Sequence, residues 1–259
     1  MEITRITENI YRTTSPYKDI FTTMYLIKTP AGALLFDAAS FDTDAEEYTV
    51  PFLTELGVTA EDLKYVFISH NHLDHAGGLS EFVKHYPNTV IVSRCPRLKE
   101  KFEGHPFLCP EDGDTLLDIL KVVTIPGHTA DCEAILDTRD NIMVTGDCLQ
   151  LYGIFGSGLW ASNINFPDDH VAAVEKVRGM NVDRIVTAHD YHPYGYDYNG
   201  NEKVNQALDA CIGALLRVKE LIAANPDLDD EAISELFRDG GKLPNIAPRV
   251  VKAIRSSNI

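Results

Sequence analysis

The sequence predicts an α/β protein with a helical appendage at its C-terminal end. Three observations carry that expectation. Leu63–Ile68 is a short, nearly continuous apolar run, as expected of a strand covered on both faces. It is followed by a loop, a helical stretch over Ala76–Tyr86 and a further strand over Thr89–Val92, a strand–loop–helix–strand unit. After Gly195 the pattern changes: Val204, Leu208, Ile212, Leu215 and Ile222 keep helical spacing.

The chain has 259 residues, 44% hydrophobic and 24% charged, which suits one large domain or a domain with an appendage. We read residues 1–199 as the main domain and 200–259 as the appendage. The formal net charge is −16. A surface that tracks phosphates needs clustered Lys and Arg, so nucleic acid is excluded as a partner class. No apolar run approaches the ~18 residues of a membrane-spanning helix. Met1–Ile10 lacks a basic segment followed by an apolar core, so the expected location is the cytoplasm. Cys95, Cys109, Cys132, Cys148 and Cys211 are odd in number and form no C-x-x-C pair, which fits reduced thiols.

In chain order, Ile3–Thr13 reads as a first strand and Thr14–Phe21 as a polar-aromatic loop. Thr22–Lys28 and Ala33–Phe36 read as a hairpin around Pro30-Ala31-Gly32. Asp44–Leu56 reads as a helix that Pro51 interrupts and Gly57 stops. Arg97–Phe102 is a short helix, and Leu116–Ile125 contains strand material ending at Pro126-Gly127-His128. Ala134–Leu136 and Ile142–Val144 are expected strands, the second ending at Thr145-Gly146-Asp147. Asp168–Arg178 fits a helix and Arg184–Thr187 a strand ending at Ala188-His189-Asp190. Asp230–Phe237 and Pro248–Ser256 complete the helical region.

A potential metal ligand therefore follows four expected strand ends. The densest group is Ser69-His70-Asn71-His72-Leu73-Asp74-His75. In extended backbone, His70 and His72 project to one side and reach a common point. Asp74 and His75 come as the chain turns into the next helix and face a second position. Imidazoles with carboxylates suit Zn²⁺, and also Fe or Mn. His85, His105, His170 and His192 are expected at the surface or in loops, with His192 of interest for lying three residues past His189.

His70-x-His72-x-Asp74-His75, followed by His128 in Gly-His-Thr, Asp147 in Thr-Gly-Asp and His189 in Ala-His-Asp, resembles the metallo-β-lactamase superfamily over roughly residues 1–195. The resemblance implies a four-layer αββα sandwich. It also implies two divalent ions, zinc foremost: His70, His72 and His128 on the first, Asp74, His75 and His189 on the second, and Asp147 bridging. Water activated between two such ions attacks an electrophilic carbonyl. Asp74 is the expected catalytic group, orienting that water and moving its proton.

The stretch Leu151–Trp160 follows Asp147 directly and carries Tyr152, Phe155 and Trp160 among three glycines. A loop leaving a metal ligand is well placed to wall a pocket. Tyr191, in the aromatic loop after His189, is a fourth candidate for contact with substrate. Such a lining suits an uncharged or apolar acyl substrate. Lactonases of the superfamily carry a tyrosine three residues past the bridging aspartate, where this chain has Gln150. Glyoxalase II-type thioesterases need basic residues; Lys242, Arg249, Lys252 and Arg255 form an acid-free stretch here. The expectation is a dinuclear hydrolase of a small ester, lactone or thioester. The alternative is an iron-dependent persulfide dioxygenase of the same fold. The oligomeric state stays open, a homodimer included.

Overall fold

A computed structural model describes residues 1–259, and the chain forms two compact units. The first comprises Met1–Thr124 with Glu133–Asp140; the second comprises Ile125–Cys132 with Asn141–Ile259.

The first unit contains a seven-stranded mixed sheet. Its strands, side by side in chain order, are β1 (Thr4–Arg5), β2 (Ile10–Tyr17), β3 (Ile20–Thr29), β4 (Gly32–Phe36), β5 (Leu63–Phe67), β6 (Val90–Val92) and β7 (Phe107–Leu108). The pairs from β1 to β4 are antiparallel and those from β4 to β7 parallel. Three further strands, β8 (Thr115–Leu116), β9 (Leu120–Thr124) and β10 (Glu133–Asp137), pair antiparallel. The core between sheet and helices gathers Leu35, Phe52, Leu53, Val66, Ile68, Leu79, Phe82 and Ile91.

Two local departures from the sequence pattern have clear causes. The expected loop over Thr14–Phe21 is instead the β2–β3 hairpin, paired down to Tyr17 and Ile20, with Lys18 at φ 54 in the turn. Thr13, Ser15 and Tyr17 alternate as buried positions, so a strand's period of two was carried by polar side chains and was hidden from a hydrophobicity reading. The expected helix over Asp44–Leu56 runs as Asp42–Asp44, a π turn over Ala45–Thr49, and Val50–Glu55. Pro51 has no N–H for the usual bond to residue 47, and the wider turn before it accommodates that loss.

The helix after the histidine cluster is broken in two, Leu73–Ala76 and Leu79–His85. Both intervening glycines are needed for space. A Cβ on Gly77 would lie 1.7 Å from the Ser40 carbonyl oxygen, and one on Gly78 would lie 2.3 Å from that of Ala38. The absent side chains let this turn sit directly on the Ala38–Ser40 backbone.

In the second unit, β11 (Ile142–Val144) pairs parallel with β12 (Arg184–Tyr191), which pairs antiparallel with β13 (Gly195–Asn199). β12 runs four residues beyond its expected end, and the expected aromatic loop folds back as β13. Arg184 bonds Asp197 through Nε and Nη2, at 2.7 and 2.6 Å, fixing that return. Helices span Pro167–Gly179, Asn201–Ala224, Asp230–Phe237 and Pro248–Arg255. Their core joins Ile164, Leu215, Val218, Ile233, Phe237, Val250, Val251 and Ile254. Val204 and Leu208, on the face expected from the spacing, are buried. The helices after Gly200 share a compact unit with β11–β13. No helix is long and apolar enough to cross a membrane.

Candidate metal centre

In the first unit the chain leaves β5 and turns at once into the cluster. His70 and His75 are fully buried, and their rings lie 4.2 Å apart between centroids; those of His70 and His72 lie 4.6 Å apart. Asp74, 8% exposed, has Oδ2 3.3 Å from His75 Nε2 and accepts a bond from Thr22 Oγ1 at 3.2 Å. His70 with His72, and Asp74 with His75, each offer donor atoms within 4.8 Å of one another.

Asp37 organises this group from behind. Its carboxylate accepts from the Ser69 backbone N–H at 2.8 Å, from Ser69 Oγ at 3.0 Å and from His75 Nδ1 at 2.7 Å. A carboxylate facing Nδ1 selects the tautomer with its proton there and leaves Nε2 as the electron-pair donor. Ser69 Oγ also lies 3.1 Å from His70 Nδ1. Burial pushes the Asp37 carboxyl above its ordinary range, and the His75 and Ser69 donors pull it back. Asp37 and Ala39 both adopt positive φ, 62° and 63°, uncommon for residues with a side chain. In the sequence Asp37 is an acid directly after the apolar Ala33–Phe36 run, which the structure buries, and that juxtaposition is the signal for its role.

In the second unit three donors come from three segments. His128 follows Gly127, which sits at φ 145 with His170 so close that a Cβ would lie 2.6 Å from the His170 Cβ. His128 Nδ1 donates to the Asn163 carbonyl at 2.5 Å, and its Nε2 is 3.6 Å from Asp147 Oδ2. His189 Nε2 is 3.0 Å from Asp147 Oδ1, which also accepts from the Tyr191 hydroxyl at 2.9 Å. All three donors are at least 95% buried. His189 does not follow a strand end, as the sequence suggested. It lies inside β12, where the register with β13 shifts between Val186 and Tyr191, and such an irregularity re-aims side chains.

The structure thus brings His70, His72, Asp74 and His75 together in one unit and His128, Asp147 and His189 together in the other. The expected substrate-contacting residues separate. Phe155 is 61% exposed and stacks on His192, centroids 5.8 Å apart and planes 7° apart. Leu159 beside it is also exposed, and Trp160 is half-buried. Tyr152 turns away to stack on Phe237 of the C-terminal helices. Tyr191 is fully buried and bonded to Asp147 and Gln150, so it supports a donor rather than facing substrate.

Among the other histidines, His170 departs from its expected surface position: it is fully buried, and neither ring nitrogen has a hydrogen-bond partner. Burial, and secondarily His128, lower its pKa to about 4. Cys132 and Cys148 are buried and form no disulfide. Of the C-terminal cations, Lys242 bonds Asp239, Arg255 bonds Asp230 and Arg249 bonds the Asn163 side chain. Gln150, Asn163 and Ser69 join Asp37 as residues whose supporting role the sequence did not reveal, although Gln150 drew notice for its position.

A profile of the metallo-beta-lactamase superfamily matches residues 17–95. Among curated proteins, the chain is 28% identical over 174 residues to a beta-lactamase-like protein 2 homolog of Caenorhabditis elegans, covering 65% of this chain and 55% of that one. It is 29% identical over 145 residues to a hydroxyacylglutathione hydrolase of Pectobacterium atrosepticum, covering 54% and 53%. The chain spans about half the length of the curated relatives it matches. Among solved structures, a metallo-beta-lactamase family protein from Thermus thermophilus superposes with TM-score 0.64 at 19% identity, over 90% of this chain and 88% of the other. That likeness, with mixed sheets and flanking helices, establishes the α/β sandwich fold with C-terminal helices. In the matched segment and in its fold the chain is similar to the metallo-β-lactamase superfamily.

Proposed function

We propose that this chain is a metal-dependent hydrolase that cleaves an ester, lactone or thioester of a small, uncharged acyl substrate. The observation that carries the reading is the donor chemistry. Four of the five imidazoles and both carboxylates are almost wholly withdrawn from water, His72 is half-buried, and His75 and His128 each have one ring nitrogen engaged by an outer acceptor. Imidazole nitrogens and carboxylate oxygens grouped this closely, with outer acceptors on the far side of the rings, are an arrangement that would hold a divalent cation. Their types fit zinc best and accept iron or manganese.

On this reading, which the resemblance of the motifs to the superfamily supports, His70, His72 and His128 would hold one ion and Asp74, His75 and His189 a second, with Asp147 contributing to each. Such ions would supply Lewis acidity and would acidify a bound water toward neutral pH. Asp74, held by Thr22, would orient that water and be the group that accepts its proton. Phe155, Leu159 and Trp160 hold the apolar acyl portion, and residues 200–259 brace the Asn163 and Tyr152 segments from behind. Similarity to hydroxyacylglutathione hydrolases, and to a protein named as a thioesterase in Emericella nidulans, supports a thioester as the first substrate to try. Five cysteines that form no disulfide fit a cytoplasmic location.

The test is a panel of aryl esters, lactones, thioesters and phosphodiesters, each assayed with protein reconstituted in zinc, manganese and iron. Hydrolysis of an acyl substrate that a chelator abolishes and metal restores is the expected result. Absence of any acyl hydrolysis in all three metal forms would overturn the proposal.

A further inference from the structure

One side chain in the second unit touches the supports of two metal donors at once. The Gln150 amide nitrogen donates to the Asp147 backbone carbonyl at 2.9 Å and to the Tyr191 hydroxyl at 3.1 Å. Its amide oxygen accepts from the Asn163 backbone N–H at 3.0 Å. The Tyr191 hydroxyl donates in turn to Asp147 Oδ1, and the Asn163 carbonyl accepts from His128 Nδ1. Gln150 is 2% exposed, so water does not compete for these bonds. The Asn163 segment is in turn anchored from the C-terminal region: Ser162 N–H donates to Asn245, Ala247 N–H donates to Ser162, and Arg249 bonds the Asn163 side chain.

Resting on the metal-site reading above, we propose that Gln150 is a positioning residue that sets His128 and Asp147 in register for metal binding. The polarity of its amide is what matters. A hydroxyl has one proton. Because Gln150 donates to Tyr191, the tyrosine's proton is directed to Asp147 Oδ1, and that oxygen is held in one orientation. Because the amide oxygen accepts from Asn163, the same residue fixes the carbonyl that sets the His128 ring. Neither a carboxylate nor an apolar side chain of that size does both: a carboxylate faces the Asp147 carbonyl with no proton to give and draws the tyrosine's proton toward itself.

The experiment compares wild type, Gln150→Glu, Gln150→Leu and Tyr191→Phe. Metal affinity is read by competition with a chromophoric chelator, and ligand geometry by the visible absorption of the cobalt-substituted proteins. Thermal unfolding of the metal-free proteins reports folding separately. Losing an outer partner of a metal ligand typically costs about 10–100-fold in affinity. We expect a loss of about that size in Gln150→Glu, a smaller one in Tyr191→Phe, and altered cobalt spectra in both, at metal-free melting temperatures close to wild type. Should the Gln150 variants fail to fold, Tyr191→Phe decides, since it removes only a hydroxyl. Folded variants with wild-type affinity and an unchanged cobalt spectrum would overturn the inference while leaving the hydrolase reading intact. A wild-type protein that binds no divalent metal would overturn both.

Discussion

In the first unit four donors lie within six consecutive residues, and local backbone delivers them. A strand end aims His70 and His72, and a single helical turn aims Asp74 and His75, held down by Gly77 and Gly78. In the second unit His128, Asp147 and His189 come from three separate segments, and no local turn can relate them. Their relation is carried by side-chain hydrogen bonds through Asn163, Gln150 and Tyr191. The contrast teaches where each set is vulnerable. The first tolerates little change in its backbone, whereas the second is sensitive to residues that never touch a metal.

The largest effect tests the donors themselves, one from each unit. His72→Ala and Asp147→Ala are each expected to lower acyl hydrolysis by about 10³-fold or more, on the order of losing one group that stabilises the transition state. Circular dichroism is expected to remain that of the folded protein. Full activity in either variant breaks the premise that both sets serve one reaction.

Next comes the support of the first set. Asp37→Asn keeps the shape and removes the charge behind His75 Nδ1, and a loss of about 10–100-fold in metal affinity is expected. If Gln150→Glu costs the second set as much, the two kinds of support are equivalent in strength. If Asp37→Asn alone has an effect, the hydrogen-bonded network is the weaker device.

A pH measurement sharpens the comparison further. His170 underlies the His128 turn, and burial lowers its pKa from 6.5 to about 4. The unfolded chain takes up this proton at about pH 6.5, whereas the native protein resists it down to about pH 4. Stability from this residue is therefore present above the unfolded value and is lost as pH falls across that window. The shift corresponds to about 3 kcal/mol by pH 4. Chemical denaturation of metal-free wild type and His170→Leu between pH 7 and 4 should give curves that converge or cross as the pH drops. Parallel curves would mean that His170 is protonated in the folded protein.

The smallest effect concerns substrate. Phe155→Ala removes the exposed ring that stacks on His192, and kcat/KM for an apolar acyl substrate should fall by about tenfold. A short acetyl substrate should be nearly unaffected. Equal losses for both would move the acyl site away from this loop.

The same contrast decides what could be read from sequence. A contiguous motif is legible because its spacing is its geometry, and His70 to His75 stand out unaided as a candidate metal-donor set. His128 and Asp147 are legible as candidate donors just past strands, and His189 by motif alone, since β12 runs on through it. Their supports were not: Gln150 and Asn163 are ordinary polar residues until the fold brings them to Tyr191 and His128. Tyr191 looked like a substrate contact because aromatic loops commonly are; the β12–β13 return buries it instead. The β2 strand escaped notice for a related reason, since Thr13 and Ser15 are buried polar residues where hydrophobicity gives no period. His170 is the extreme case, a titratable group wholly buried with Gly127 packed closely against it.

The central claim is that both donor sets hold metal and that hydrolysis needs both. The most direct measurement adds zinc to metal-free protein in fractions of an equivalent while following thioester hydrolysis and metal bound per chain. The account predicts saturation at two zinc ions per chain, with activity complete only when the second is bound. Saturation at a single iron, with persulfide-dependent oxygen uptake and no hydrolysis at any metal loading, would contradict it.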